Sequence, residues 1–439
     1  MTAERNALEI LMKITREGAF ANLALKDGFS DGSTTNVGRS TALIYTALEN
    51  LNYCDFIIDS YAKGRVHSVI RGVLRLALTE LFFMDSPDHA VCSKYVELTD
   101  EIGKGKLKGF VNGVLRSVAR DRIAGKLPPL PEEPAARLEI VSGYPAFMIR
   151  EYIAQYGESF TEDMLTHRAG ATALRPVYPH TAAEIAEHFA QKRVDLVPGL
   201  LDGYAVKAVS LGGDVTKDEL FMSGAVTVQS ESAMLACICL APPPGGRVLD
   251  ACAAPGGKTA LLYDLMQRRG EIAAWDVHPH RVELILSTLS RLGIHEGVAA
   301  RTEDASVPHP ELENSFDAVL LDVPCSGLGG GSKPDARYRR TQESIEELSS
   351  LQRRILESCS RCLKPGGALV YSTCTLSKRE DEDVVCGFLK EHPEFSLDSL
   401  SAFLPEKLRQ RGAGGMMRLF PNIDDTEGFF IARLIRKAI

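Results

Sequence analysis

Two cysteines stand just beyond hydrophobic runs in the second half of this chain. Cys325 follows Phe316-Asp-Ala-Val-Leu-Leu-Asp322, with Pro324 fixing the turn, and Cys374 follows Ala368-Leu-Val-Tyr-Ser-Thr373. Asp322 places a carboxyl group beside the first of them. A thiolate, an acid and a pocket that excludes water are what covalent attack on a pyrimidine ring requires. Sulfur adding at C6 makes C5 carbanion-like and able to take a methyl group. A carboxyl near N3 or the exocyclic amine stabilises charge as the thiolate adds. A lone cysteine at a strand end is most often inert core. Two at matched strand ends, one flanked by Asp322 and Pro324, favour a reactive pair, and the chemistry alone leaves open which one attacks.

A third segment, Val248-Leu-Asp-Ala-Cys-Ala-Ala-Pro-Gly-Gly-Lys258, runs from a strand through a glycine-rich turn into a helix. Small residues and two glycines let the backbone approach a ligand closely. Gly256-Gly-Lys-Thr259 is similar to the end of a phosphate-binding loop, but that pattern needs its first glycine where this chain has Cys252. Asp250, Asp276 and Asp304 fall at the ends of consecutive candidate strands and would repel phosphates. A sulfonium-bearing nucleoside, S-adenosylmethionine, suits such a site.

The elements that must carry these residues alternate. Candidate strands lie at 247–251, 271–276, 298–301, 316–322 and 368–373, with helices near 259–268, 279–292 and 342–363. Short apolar strands alternating with helices imply a mainly parallel sheet covered on both faces, which binds ligands outside the carboxyl ends of its strands. The first ~125 residues instead show one-sided helical patterns, such as Val69, Ile70, Val73, Leu74, Ala77, Leu78, Leu81 and Phe82. A small helical bundle is expected there. Leu127-Pro-Pro-Leu-Pro-Glu-Glu-Pro134 stops helix propagation and reads as a linker. The fold class is therefore multi-domain: residues 1–126 all-α, 127–134 a linker, 135–235 a small α+β middle region, and 236–439 a doubly wound α/β domain.

Bulk properties set limits. The 439 residues are 45% apolar and 25% charged with a net charge of −8, which argues mildly against a generic nucleic-acid binder but leaves room for local basic patches. No stretch approaches the roughly 20 apolar residues of a membrane helix. The start, Met1-Thr-Ala-Glu-Arg-Asn-Ala-Leu8, lacks a signal-peptide layout, so a cytoplasmic protein is expected. The ten cysteines read as free thiols. The pairs Cys237/Cys239 and Cys359/Cys362 lack partner ligands at metal spacing, and no metal site is predicted. Lys104, Lys106, Lys108, Arg116, Arg120 and Arg122 cluster around one helix of the front domain, either as phosphate contacts or as a solvated face.

Together, Asp-Ala-Cys-Ala-Ala-Pro-Gly-Gly-Lys, Asp322-Val-Pro-Cys-Ser-Gly327 and Ser372-Thr-Cys374 resemble the RNA (cytosine-5)-methyltransferases, and within them the bacterial RsmB/Sun branch that modifies small-subunit ribosomal RNA. Gly109-Phe-Val-Asn-Gly-Val-Leu-Arg116 is similar to the NusB-like domain at the front of that branch. Val228-Gln-Ser-Glu-Ser-Ala233 resembles its entry to the catalytic domain, and Glu427-Gly-Phe-Phe-Ile-Ala432 its closing strand. The resemblance implies that Cys374 is the nucleophile, that Cys325 assists release of the methylated base, and that Asp322 contacts the cytosine and lines the cofactor site. It implies that Cys252, Ala253, Ala254, Pro255, Gly256, Gly257, Lys258, Asp276 and Asp304 hold S-adenosylmethionine, with Arg281 orienting an acidic residue. The chain departs from the pattern at Gly329-Gly-Gly-Ser-Lys-Pro-Asp335, where the family often has a basic pair; Arg337, Arg339 and Arg340 follow as possible substitutes. Arg175-Pro-Val-Tyr178 and Leu419-Phe-Pro-Asn422 also differ.

The expected activity is S-adenosylmethionine-dependent methylation of a cytosine in RNA, most simply 16S rRNA or an assembling small subunit, a structured target whose base must be unstacked. Two rival readings remain: a P-loop NTPase, and a non-catalytic RNA-binding or assembly factor with a vestigial methyltransferase fold.

Overall fold

In the computed structural model, which describes residues 2–29, 34, 36–167, 171–211, 214–330 and 337–438, the chain forms two compact units. One comprises Met1–Thr166 with Ser332–Arg340, the other His167–Gly331 with Thr341–Ile439.

The first unit is helical. Its central helix, Ser68–Phe83, buries Ile70, Val73, Leu74, Ala77, Leu78 and Leu81, most of the apolar stripe legible in the sequence. The opening helix, Ala3–Glu17, is capped by the Thr2 side chain and stops at Gly18 in the left-handed conformation. The unit extends past the proline-rich stretch expected to separate it from a middle region. Helices Pro134–Ser142, Ala146–Tyr156 and Glu158–Thr166 cluster with it. They bury Leu138, Met148, Ile149 and Tyr152, and Asn52 Nδ2 donates to the Glu139 carbonyl at 3.1 Å. An apolar face on each short helix needs a partner, and the front bundle supplies it.

The second unit holds two sheets. Strands β1 (Thr172–Pro176), β2 (Leu196–Val197), β3 (Val206–Ala208) and β4 (Val226–Val228) form a small antiparallel sheet in the order β2-β3-β1-β4. The larger sheet uses β5 (Arg247–Asp250), β6 (Glu271–Asp276), β7 (Val298–Thr302), β8 (Phe316–Asp322), β9 (Leu363–Thr373), β10 (Phe395–Leu397), β11 (Met416–Leu419) and β12 (Phe429–Arg436). Its order is β10-β12-β9-β8-β5-β6-β7, with β11 also pairing β12. Strands β5 to β9 pair in parallel, whereas β12 runs antiparallel beside β9.

The helix expected over 342–363 ends at Ser360, and Leu363 instead opens β9 opposite Phe316. Lys364-Pro-Gly-Gly367 cannot extend a helix. The chain moves outward from β5 to β6 and β7, then returns to lay β8 and β9 on the other side of β5. That reversal makes a crevice at the carboxyl ends of β5 and β8, where a doubly wound sheet receives its ligand.

Candidate active site

Adjacent parallel strands bring the two cysteines together. Asp322 pairs with Ser372 in register, so the turns that follow β8 and β9 leave the sheet side by side. Cys325 Sγ and Cys374 Sγ lie 3.2 Å apart. The hydrogen bond between the thiols and their burial push the Cys325 thiol well above its usual range, and the negative charges of Cys374 and Glu380 add to this. Ionising one of two thiols this close makes ionising the other harder. Asp322 is held at both oxygens. Ser372 Oγ donates to Oδ1 at 2.9 Å, and Lys258 Nζ pairs with Oδ2 at 2.8 Å. Burial opposes the Lys258 charge, but the Asp322 carboxylate outweighs it and keeps the ammonium protonated. One predicted cofactor residue thus grips one predicted catalytic residue.

The glycine-rich turn hangs from β5. Gly256 has φ 102° and caps the helix Gly257–Leu265; a Cβ there would approach Ile285 Cα to 3.2 Å. Ala253 N donates to the Trp275 carbonyl at 2.8 Å, tying the turn to β6. Asp276 is buried at the end of β6, where its Oδ1 accepts from His278 N at 3.1 Å and its Oδ2 pairs with Arg281 Nη1 at 3.1 Å. Arg281 also reaches the Ala254 carbonyl at 3.4 Å, joining Asp276 to the turn. Asp304 lies beyond β7, and its Oδ1 accepts from Ser306 N and Oγ, bonds that hold the carboxyl below the usual range. Asp250 is buried and accepts from Thr259 Oγ1 at 2.7 Å.

This set fits S-adenosylmethionine. The Cys252 thiol is pushed well up by burial, and the charges of Asp250, Asp322 and Asp276 add to it. Lys258 and Arg281, the cations of the cradle, are each bound to a carboxylate. The donor set therefore suits hydroxyls and a sulfonium, and not a polyphosphate. In a phosphate-binding loop the lysine reaches the phosphates and the hydroxyl a magnesium ion. Here those positions, Lys258 and Thr259, are tied to Asp322 and Asp250.

Other quoted segments also meet. Ser230 and Ser232 hydroxyls donate to Glu427 Oε1 at 2.6 and 3.0 Å, joining the entry segment to the closing strand. Gly329 N donates to the Cys374 carbonyl at 3.0 Å, and a Cβ at Gly329 would lie 2.0 Å from the Gly428 carbonyl oxygen. Glycine is thus required where the chain otherwise departs from the basic pattern; residues 331–335 of that stretch lie outside the described residues. Two of the arginines that follow bond to helices of the first unit. Arg337 donates to the Ser142 carbonyl at 3.2 Å and stacks over Tyr144, while Arg339 donates to the carbonyls of Ile14, Gly18 and Ala19. In the front cluster, Lys108 pairs with Asp100, Arg120 with Asp121 and Arg122 with Asp88. Sequence reasoning missed Ser372 as an anchor of Asp322, and it missed Glu380 and Asp381. Acids just before a helix read as ordinary first-turn residues, which conceals them.

Comparison with known proteins places the molecule. The model of the 16S rRNA methyltransferase RsmB/F family matches residues 237–435, and that of the NusB family matches residues 1–120. A probable ribosomal RNA small subunit methyltransferase B of Bacillus subtilis is 34% identical over 98% of this chain and 98% of its own. The solved protein PH0851 matches 99% of this chain and 98% of its own with a TM-score of 0.81 at 27% identity. A methyltransferase homologue from Pyrococcus horikoshii matches 70% of this chain and all of its own with a TM-score of 0.58 at 29% identity. The fold is thus a NusB-type helical unit joined to a Rossmann-like methyltransferase sheet. The chain belongs to the RsmB/F family of ribosomal RNA small subunit methyltransferases.

Proposed function

We propose that this protein methylates C5 of a cytosine in 16S rRNA through a covalent bond between Cys374 and C6, using S-adenosylmethionine held by 252–258, Asp276, Arg281 and Asp304. The observation that carries the reading is the 3.2 Å approach of the Cys325 and Cys374 sulfurs beside an Asp322 fixed by Lys258 and Ser372. A single reactive thiol would leave the second unexplained.

Bound in that cradle, S-adenosylmethionine supplies an electrophilic methyl group. The chain does the rest. The Cys374 thiolate adds to C6, and the C5=C6 electron pair moves onto C5. The Lys258–Asp322 pair presents a carboxylate to the exocyclic amine and an ammonium to the ring edge where charge builds up. After methylation a base takes the C5 proton, the C5=C6 bond re-forms, and the bond from C6 to the Cys374 sulfur breaks as the Cys325 thiol hands its proton to the departing sulfur. The 3.2 Å between the two sulfurs puts such a proton transfer within reach.

The test uses full-length native chain, Cys374→Ala and Cys325→Ala with 16S rRNA and methyl-labelled cofactor. Product is scored as 5-methylcytosine and adduct as a protein–RNA band on a denaturing gel. Cys374→Ala should give neither, whereas Cys325→Ala should accumulate adduct. The opposite pattern makes Cys325 the nucleophile. A native chain that binds RNA but never forms product supports the vestigial reading instead.

A further inference from the structure

The geometry points to Glu380 and Asp381 as the positioning pair for the two thiols, Glu380 holding the turn that carries Cys325 and Asp381 the strand end that carries Cys374. This rests on the two-cysteine reading above and extends it to residues outside the cysteine motifs.

The sulfurs sit on turns that have left the sheet, so the β8–β9 ladder alone does not set their separation. Glu380 and Asp381 are both fully buried directly behind these turns. Glu380 Oε1 accepts from Ser326 N at 2.8 Å and from Gln352 Nε2 at 3.1 Å, and its Oε2 accepts from Ser326 Oγ at 2.6 Å. Gln352 Nε2 also donates to the Pro324 carbonyl at 2.9 Å. The residues on both sides of Cys325 are thereby fixed. Asp381 Oδ1 accepts from Thr373 Oγ1 at 2.6 Å, holding the residue before Cys374. The Ser326 and Thr375 hydroxyls, 2.9 Å apart, link the far sides of the two cysteines.

The acids are themselves anchored. Tyr371 OH, on β9, donates to the Glu380 carbonyl at 2.6 Å, and Ser349, on the helix Gln342–Ser360, donates to the Arg379 carbonyl at 2.8 Å. Arg418 Nη2 lies 3.5 Å from Asp381 Oδ2. Desolvating a carboxylate costs several kcal/mol, and an apolar residue of similar volume is often as stable or more so. Two adjacent buried acids with donors drawn from both thiol turns are therefore better explained by geometry than by stability. Each acid serves one thiol, so each should share the defect of the cysteine it positions.

The experiment uses full-length Glu380→Ala, Glu380→Gln, Asp381→Ala and Ser326→Ala. Three readouts are taken: adduct against product with 16S rRNA, thermal midpoint, and bridging of Cys325 to Cys374 by dibromobimane, mapped by peptide mass. Bridging needs no RNA, so it tests the geometry even if the proposed chemistry fails. Glu380→Ala should lose most of the bridging and accumulate adduct, with turnover down by up to roughly 10²-fold, the scale of an ångström misplacement. Glu380→Gln, whose amide oxygen can still accept from Ser326 N, should restore bridging. Ser326→Ala, which removes one donor without emptying the acid site, should show a weaker form of the same defect and keeps the test valid if Glu380→Ala does not fold. Asp381→Ala should lose adduct formation itself. Unchanged bridging in Glu380→Ala and Ser326→Ala, or losses that follow the thermal midpoint alone with no split between adduct and release, would overturn the proposal.

Discussion

Asp250 ends β5 with its carboxyl bound to Thr259, and burial, reinforced by the charge of Asp322, pushes its pKa from 3.8 up to about 7. Between those values the folded chain holds a proton that the unfolded chain has lost. Stability from this group therefore falls as pH rises through the window and is level above it. Asp250→Asn cannot ionise and keeps an oxygen for Thr259. Its thermal midpoint relative to the native chain should rise as pH goes from about 4.5 to about 7.5; a constant difference would show that Asp250 ionises normally. At this scale the sequence was legible wherever chemistry and turn composition coincided, as at Cys325, Cys374, Asp322 and the 252–258 turn. Glu380 was not, because its partners, Ser326 and Gln352, are remote in sequence and ordinary in type.

Among the elements, β5 to β9 were readable because each holds a short apolar stretch beside turn residues, though β9 begins at Leu363 rather than Ala368. The small β1–β4 sheet was not. Its strands are only two to five residues long, too short for a period to show. Among the bonds that tie it to the methyltransferase sheet is a buried ion pair: Arg175 on β1 and Asp264 on the helix Gly257–Leu265 meet at 2.8 Å, and Arg175 Nε donates to Gln229 Oε1 at 2.7 Å. Removing Arg175 leaves the buried Asp264 carboxylate paired with Arg268 alone, 3.1 Å away, among the described residues. Arg175→Met should cost about 3 kcal/mol of unfolding free energy, the low end for a broken buried pair because Arg268 still faces Asp264, whereas Arg175→Met with Asp264→Leu should recover part of it. A denaturant-based double-mutant cycle measures this. A double variant no better than the single one would place the stabilisation in the Gln229 bond.

For the molecule as a whole, the division of the chain differs from the one that proline-rich stretches suggest. The 127–133 stretch only bridges helices of the first unit, and that unit includes 332–340 as well. The segment after the Cys325 turn thus ends among the front helices, through Arg337 on Ser142 and Tyr144 and Arg339 on Ile14, Gly18 and Ala19. Arg337→Ala with Arg339→Ala should expose Tyr338, raising chymotryptic cleavage there by roughly tenfold or more, because cleavage follows the population of the opened state. An unchanged cleavage rate would show that other contacts hold the segment. Such a plug also has a schedule. At about 5–20 residues per second, a ribosome releases 337–340 on the order of ten to thirty seconds after residue 166. The nascent front helices must wait that long with the carbonyls beside Gly18 still hydrated and the face of Tyr144 uncovered, so the first domain to emerge is completed only after the thiol turn of the second has been synthesised.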